Sequence, residues 1–188
     1  MTPLLVVGGI VMLVLLVVVI MYNGLVAKKN QVDNAFAGID ATLKKRFDLV
    51  PNLVAVVKQY MQHEAETLTN IAKLRSQAQA GSAGSDAHLA AENQLTKAIG
   101  SVLVAVESYP DLKASTNFLE LQTSLNEIEE QLSASRRFFN SAVVDLNNAI
   151  QMFPSSIMAS MMKLTRRELF SVPEAERQNV NVGNLFKS

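Results

Sequence analysis

The hydrophobic pattern divides the chain at its twenty-second residue. Leu4–Met21 is 18 residues without a charged or strongly polar side chain, and the first charged side chain is Lys28. At a helical rise of ~1.5 Å per residue this run covers ~27 Å, close to the hydrocarbon thickness of a bilayer. A cleaved signal peptide would need a basic leader, a shorter apolar run and a small-residue cleavage site. The residues before Leu4 supply only the terminal amine, and Leu25-Val26-Ala27 is a poor cleavage site. The run therefore predicts a retained anchor over 1–27, with Tyr22 at the interface. Gly8-Gly9 lacks GxxxG spacing and reads as lipid-facing.

From there the pattern turns amphipathic. Leu25, Val32, Phe36, Ile39, Leu43 and Phe47 recur at intervals of three, four and seven, predicting one continuous helix from Leu4 to about Phe47. Asp48-Leu49-Val50-Pro51 predicts its end, because a residue before proline is pushed out of the helical region. Pro51 suits the first turn of a second helix reaching about Ala80, with Leu53, Val54, Val57, Tyr60, Met61, Leu68, Ile71 and Leu74 inward. Gly81–Ser85 reads as a turn, with Asp86 capping a third helix over Ala87–Glu107. Tyr109–Lys113 breaks that helix. A fourth begins near Ser115 and carries the most regular seam: Phe118, Leu121, Leu125, Ile128, Leu132, Ser135, Phe139, Ala142, Leu146, Ala149 and Phe153. Pro154 ends it. Ser155–Leu164 predicts a short apolar helix, and 165–188 an irregular tail. The expected fold is all-α: a transmembrane helix (1–27) continuing into an antiparallel four-helix bundle with a short C-terminal helix (28–164).

Composition narrows the function classes. Seventeen basic and seventeen acidic residues give zero formal charge, which is not the footprint of a nucleic-acid binder. The chain has no cysteine, so disulfides, Cys-ligated zinc and thiol catalysis are excluded. His63-Glu64 opens a zincin-like motif, but Thr67 stands where HExxH needs its second histidine. Di-iron bundles need Glu-x-x-His pairs; Tyr60 and Ser85 occupy the acidic positions before His63 and His88. No Walker loop, GxGxxG fingerprint or G-x-S-x-G elbow is present. The expectation is a protein without catalysis or cofactor.

Two stretches are candidate interaction surfaces. Lys44, Lys45 and Arg46 sit with Asp48 at the expected first corner. In an up-down bundle Asp111 and Lys113 of the Pro110 corner lie at the same end. These six form either a partner-docking patch or a set of mutual helix caps. Glu127, Glu129, Glu130, Arg136 and Arg137 read as a solvated face. The second candidate is the segment after Pro154. The first helix covers about 39 Å from Tyr22 to Phe47 and the fourth about 57 Å, a surplus of about 18 Å. That surplus carries Phe153 back to the lipid headgroups. Ile157, Met158, Met161 and Met162 would then touch the membrane surface, with Lys163, Arg166 and Arg167 toward an anionic leaflet. Alternatively the segment folds up to cap the bundle or packs on a neighbouring subunit.

Several blocks resemble the LemA family: IDATLKKRFDLVPNLVAVVKQY followed by His63-Glu64, then YPDLKA (Tyr109–Ala114), NFLELQ (Asn117–Gln122), RRFFN (Arg136–Asn140) and FPSSIMA (Phe153–Ala159). They occur in family order from the anchor to about Ala159. The resemblance implies a membrane-anchored helical bundle of the bacterial cell envelope with no established enzymatic activity. It implies association with the bilayer and with other membrane proteins, HtpX-type membrane proteases among the candidates. Phe139 and Leu146 stand where the family often has tyrosine, and Ser156 where asparagine is usual. The leading expectation is a non-catalytic scaffold or adaptor; the alternative is an oligomeric membrane-organising protein. The resemblance implies a single-pass anchor in the bacterial inner membrane; Lys28 and Lys29 follow the apolar run directly and nothing basic precedes it, so the bundle is expected in the cytoplasm.

Overall fold

The computed structural model describes residues 2–61, 65–80 and 86–170, with no side-chain description for Thr2 or for 86–89. The expected Gly81–Ser85 turn, the His63-Glu64 pair and the tail beyond residue 170 lie outside the described residues. Among the described residues six α-helices follow one another: α1 Thr2–Tyr60, α2 Ala65–Ala80, α3 Asp86–Ala105, α4 Pro110–Lys113, α5 Thr116–Gln151 and α6 Ser155–Met161, with a 3-10 turn at Val106–Ser108. No strand occurs among the described residues.

The first corner is not where the proline rule puts it. α1 is a single helix of 59 residues with Pro51 inside it. Its buried positions run through the proline without changing register, Ile39, Leu43, Phe47, Val50, Leu53 and Val57, and Met61 just past its end continues them. A helix that turned at Pro51 would have to restart that register. An interior proline removes one hydrogen bond, because the carbonyl four residues earlier has no N–H to meet. That carbonyl belongs to Phe47, and the Arg75 Nε on α2 donates to it at 2.6 Å. A side chain from the neighbouring helix thus satisfies the group that Pro51 orphans.

The chain divides into two compact units, Met1–Ala35 with Arg136–Ser188, and Phe36–Ser135; α1 and α5 contribute to both. In the second unit Leu68, Ile71, Leu74 and Ala78 of α2 and Leu95, Ile99 and Val102 of α3 are buried together with the α1 positions. The Tyr109-Pro110 break takes the form of a 3-10 turn followed by one turn of α4. Pro110 opens α4 at the position where its missing N–H costs nothing. On α5 the expected seam is inward at Phe118, Leu125, Ile128 and Leu132.

In the first unit the seam continues through Phe139, Ala142 and Leu146. It fails at Phe153, which is 82% exposed. α5 stops at Gln151, so the helical spacing no longer aims that ring. The α1 side chains from Pro3 to Ile20 are all exposed. This is the one helix among the described residues long and apolar enough to cross a membrane.

Candidate interaction surfaces

In the first unit, α6 folds back onto the end of the apolar run. The last carbonyls of α5 lack helical partners, as at any helix end. The Ser155 hydroxyl lies 2.7 Å from the Ala149 carbonyl and 2.9 Å from that of Met152, and Gln151 Nε2 donates to the Asn147 carbonyl at 3.0 Å. Side chains thus serve part of the backbone where the chain reverses. Met158 and Ala159 then bury against Leu25 of α1, with Met21, Ala149, Ile150, Met162 and Leu164 around them.

This corrects the four-residue apolar cluster. At about 100° per residue, Ile157 and Met161 share one face of α6 and Met158 and Met162 another. Met158 is 8% exposed and Met162 half-buried, whereas Ile157 and Met161 are 57% and 73% exposed. The length argument changes too. α1 covers about 57 Å from Tyr22 to Tyr60 and α5 about 54 Å, so no surplus remains. What brings α6 to the end of the apolar run is its packing on Met21 and Leu25.

α6 ends in a Schellman motif. Leu164 N–H donates to the Ala159 carbonyl at 3.0 Å and Lys163 N–H to that of Ser160 at 3.1 Å, with Lys163 at φ 53°. The motif's usual hydrophobic contact is made by Leu164 beside Ala159.

Beyond it, 164–170 is unstructured by helix or strand but is held to α5. Asn147 Nδ2 donates to the Arg167 carbonyl at 2.9 Å, and its Oδ1 accepts the Arg167 N–H at 2.9 Å. Two turns earlier Asn140 does the same for Phe170, at 3.1 and 2.8 Å. Each amide reads one backbone unit with both its donor and its acceptor. Phe170 meets Phe139 edge-on with ring centroids 5.2 Å apart; that contact needs no phenolic hydroxyl. Arg167 pairs with Asp33 of α1 at 3.6 Å. Asn147→Ala should therefore leave both groups of Arg167 unpaired, at about 1–3 kcal/mol, and speed amide exchange at Arg167. Asn147→Asp keeps the acceptor and should leave the Arg167 N–H protected; equal exchange in both variants would contradict the two-point clamp.

In the second unit the six charged candidates separate. Lys44, Lys45 and Asp48 are exposed, but they lie within an unbroken stretch of α1 and not at a corner. Arg46 is 4% exposed and pairs with Glu129 of α5 at 3.4 Å. It is not available to a docking partner, and Glu129 is not simply solvated. Asp111 and Lys113 are exposed on α4, where Lys113 pairs with Glu107 across the 3-10 turn. Mutual capping around Pro51 fails for the same reason as the corner: no helix ends there.

Sequence reasoning missed two features that were legible. Arg46 lies three residues after Leu43 and four before Val50, so it shares their face. Glu92, 1% exposed, lies three before Leu95 and seven before Ile99. A cleft of about 500 Å³ separates α1 from α2, lined by Val54, Met61, Leu68 and Ala72 with Lys58 and Thr69 as polar groups. Among the described residues no three acidic or histidine side chains converge to hold a metal ion.

Comparison with known proteins places residues 35–183 on the model of the LemA family. The chain is 27% identical over 163 residues to Protein LemA of Metamycoplasma hominis, covering 87% of this chain and 74% of that protein. It is also 27% identical over 104 residues to magnetosome protein MamQ 2 of Paramagnetospirillum magneticum, and over 107 residues to magnetosome protein MamQ of Magnetospirillum gryphiswaldense. Those matches cover 55% and 57% of this chain but only 38% and 39% of the two relatives.

Proposed function

Because the chain belongs to the LemA family, we propose that it is a membrane-anchored, non-catalytic helical scaffold that acts through protein contacts in the bacterial envelope. The observation that carries this reading is α1. One helix runs from a fully exposed apolar stretch into the buried positions of a helical unit with no linker between them. An apolar run whose side chains stand exposed among the described residues fits lipid as its solvent. In this reading α1, α2, α3 and α5 are the four helices of the bundle. The exposed charges at Lys44, Lys45, Asp48, Asp111 and Lys113 are its candidate partner surface, and an HtpX-type membrane protease is one partner to test.

The test is purification of the full chain in gentle detergent, with mass measurement of the particle. A stoichiometric heterologous partner, lost when Lys44 and Lys45 are both replaced by glutamate, supports the scaffold. The exposed apolar side chains Phe138 and Val144 on α5, 54% and 43% exposed, favour a second reading as an oligomeric membrane-organising protein. That reading expects large homo-oligomers and liposome deformation. A bare monomer contradicts both.

The same proposal sets the bundle in the cytoplasm, since Lys28 and Lys29 follow the apolar run. The chain has no native thiol, so Ser101→Cys on the exposed face of α3 provides a unique one. A membrane-impermeant maleimide applied to intact cells should leave it unlabelled and should label it after lysis. Labelling before lysis reverses the orientation.

A further inference from the structure

We propose that residues 152–161 form a second lipid-contacting element, an apolar knuckle that seats beside the anchor in the headgroup zone of the bilayer. The inference rests on reading the apolar run as a membrane span. Met152, Phe153, Ile157 and Met161 are 64%, 82%, 57% and 73% exposed, and they fall within ten consecutive residues. Four large apolar side chains left uncovered in so short a segment mark an interaction surface. Their position names the occupant. The inward face of α6 is fixed to Met21, the last residue of the apolar run, and to Leu25, roughly 6 Å further along α1. At that level, the solvent that covers Val18 and Ile20 also reaches Ile157 and Met161.

The charges around the knuckle agree. Lys29, Lys163 and Arg166 are exposed and Lys28 is half-buried, while Asp33 is engaged by Arg167, leaving Glu168 as the exposed acid of the 163–170 stretch. A short helix with apolar residues outward and a basic rim is suited to an anionic membrane surface. Tyr22, 49% exposed and next in sequence to Met21, is suited to the same interfacial level. The consequence is a two-point attachment: a spanning helix with a side contact that fixes its rotation about its own axis.

The chain contains no tryptophan, so a single introduced indole reports one position. Full-length Val14→Trp, Phe153→Trp and Ile157→Trp are reconstituted in phosphatidylcholine–phosphatidylglycerol vesicles. The phosphatidylcholine carries bromine near the headgroup end of its chains to reach positions 153 and 157, and in a parallel set of vesicles near the methyl end to reach position 14, which lies mid-span. The expected result is quenching of all three relative to unbrominated vesicles, with blue-shifted emission at 153 and 157. Quenching of Val14→Trp alone, with water-like emission at 153 and 157, overturns the knuckle and leaves the span intact. Blue-shifted emission at 153 and 157 without quenching means that protein covers the patch, a second copy included, and also overturns it. Absence of quenching at Val14→Trp overturns the span reading itself, and this inference with it.

Discussion

Leu132→Ala is expected to destabilise the helical domain by about 2–5 kcal/mol, the cost of removing a buried leucine side chain and leaving a cavity. Leu132 is fully buried on α5, between Ile128 and the continuation of the seam toward Phe139. Leu132→Asp is more severe, because it sets a carboxylate in a fully buried site, so either the acid stays neutral or the seam opens. It should abolish cooperative unfolding. The informative contrast is Glu129→Gln. Read as a solvated position it would be silent. Its carboxylate instead faces the buried Arg46 guanidinium at 3.4 Å. Glu129 is half exposed, so solvent offsets part of the loss, and about 1–2 kcal/mol is expected, below the cost of breaking a fully buried pair. Thermal unfolding of the detergent-solubilised full chain, followed by circular dichroism, ranks the three. Equal, small shifts for Leu132→Ala and Glu129→Gln would place the wrong face of α5 inward.

The seam on α5 was legible because periodicity is a property of the helix itself. Phe118, Leu125, Ile128, Leu132, Phe139, Ala142 and Leu146 need only the 3.6-residue repeat to share a side. Phe153 broke the pattern for a local reason: the helix ended two residues earlier. The α6 cluster was half legible. Its apolar character was plain, but which of Ile157, Met158, Met161 and Met162 turn inward depends on Leu25, more than 130 residues away in sequence. The Asn140 and Asn147 clamps were not legible. An asparagine at a buried or half-buried helix position carries no local sign of the backbone it reads 30 or 20 residues downstream. The buried Arg46 and Glu92 were legible in principle, since each occupies an apolar stripe at regular spacing. A charged residue in such a stripe marks an internal pair or a strained site more than a surface. At the expected first corner a local signal and a longer one disagree. The rule that proline ends helices is local and costs about 3 kcal/mol to violate. The register from Phe47 through Met61 is a longer signal, and the burial of Val50, Leu53, Val57 and Met61 outweighs one lost hydrogen bond.

Replacing that proline should therefore stabilise the protein. Pro51 is exposed within α1, so its ring contributes no core packing. Pro51→Ala restores a helix-forming residue and an N–H able to meet the Phe47 carbonyl, and a gain of about 1–3 kcal/mol is expected. If a corner were present at this point, the same change would remove a turn-forming residue and destabilise. Arg75 supplies the sharper test. Arg75→Met keeps much of the side chain's apolar stem but removes the Nε donor that serves Phe47 at 2.6 Å. With Pro51 in place the carbonyl loses its partner, at about 1–3 kcal/mol. In the Pro51→Ala background the alanine N–H is available to the same oxygen, and Arg75→Met should cost under about 0.5 kcal/mol. The double-mutant cycle then yields a coupling of about 1–2 kcal/mol between residues that need not touch. The coupling arises because Arg75 and residue 51 compete to donate to one acceptor. Additive effects would show that Arg75 is not the substitute for the missing N–H, and that the helix tolerates Pro51 by some other means.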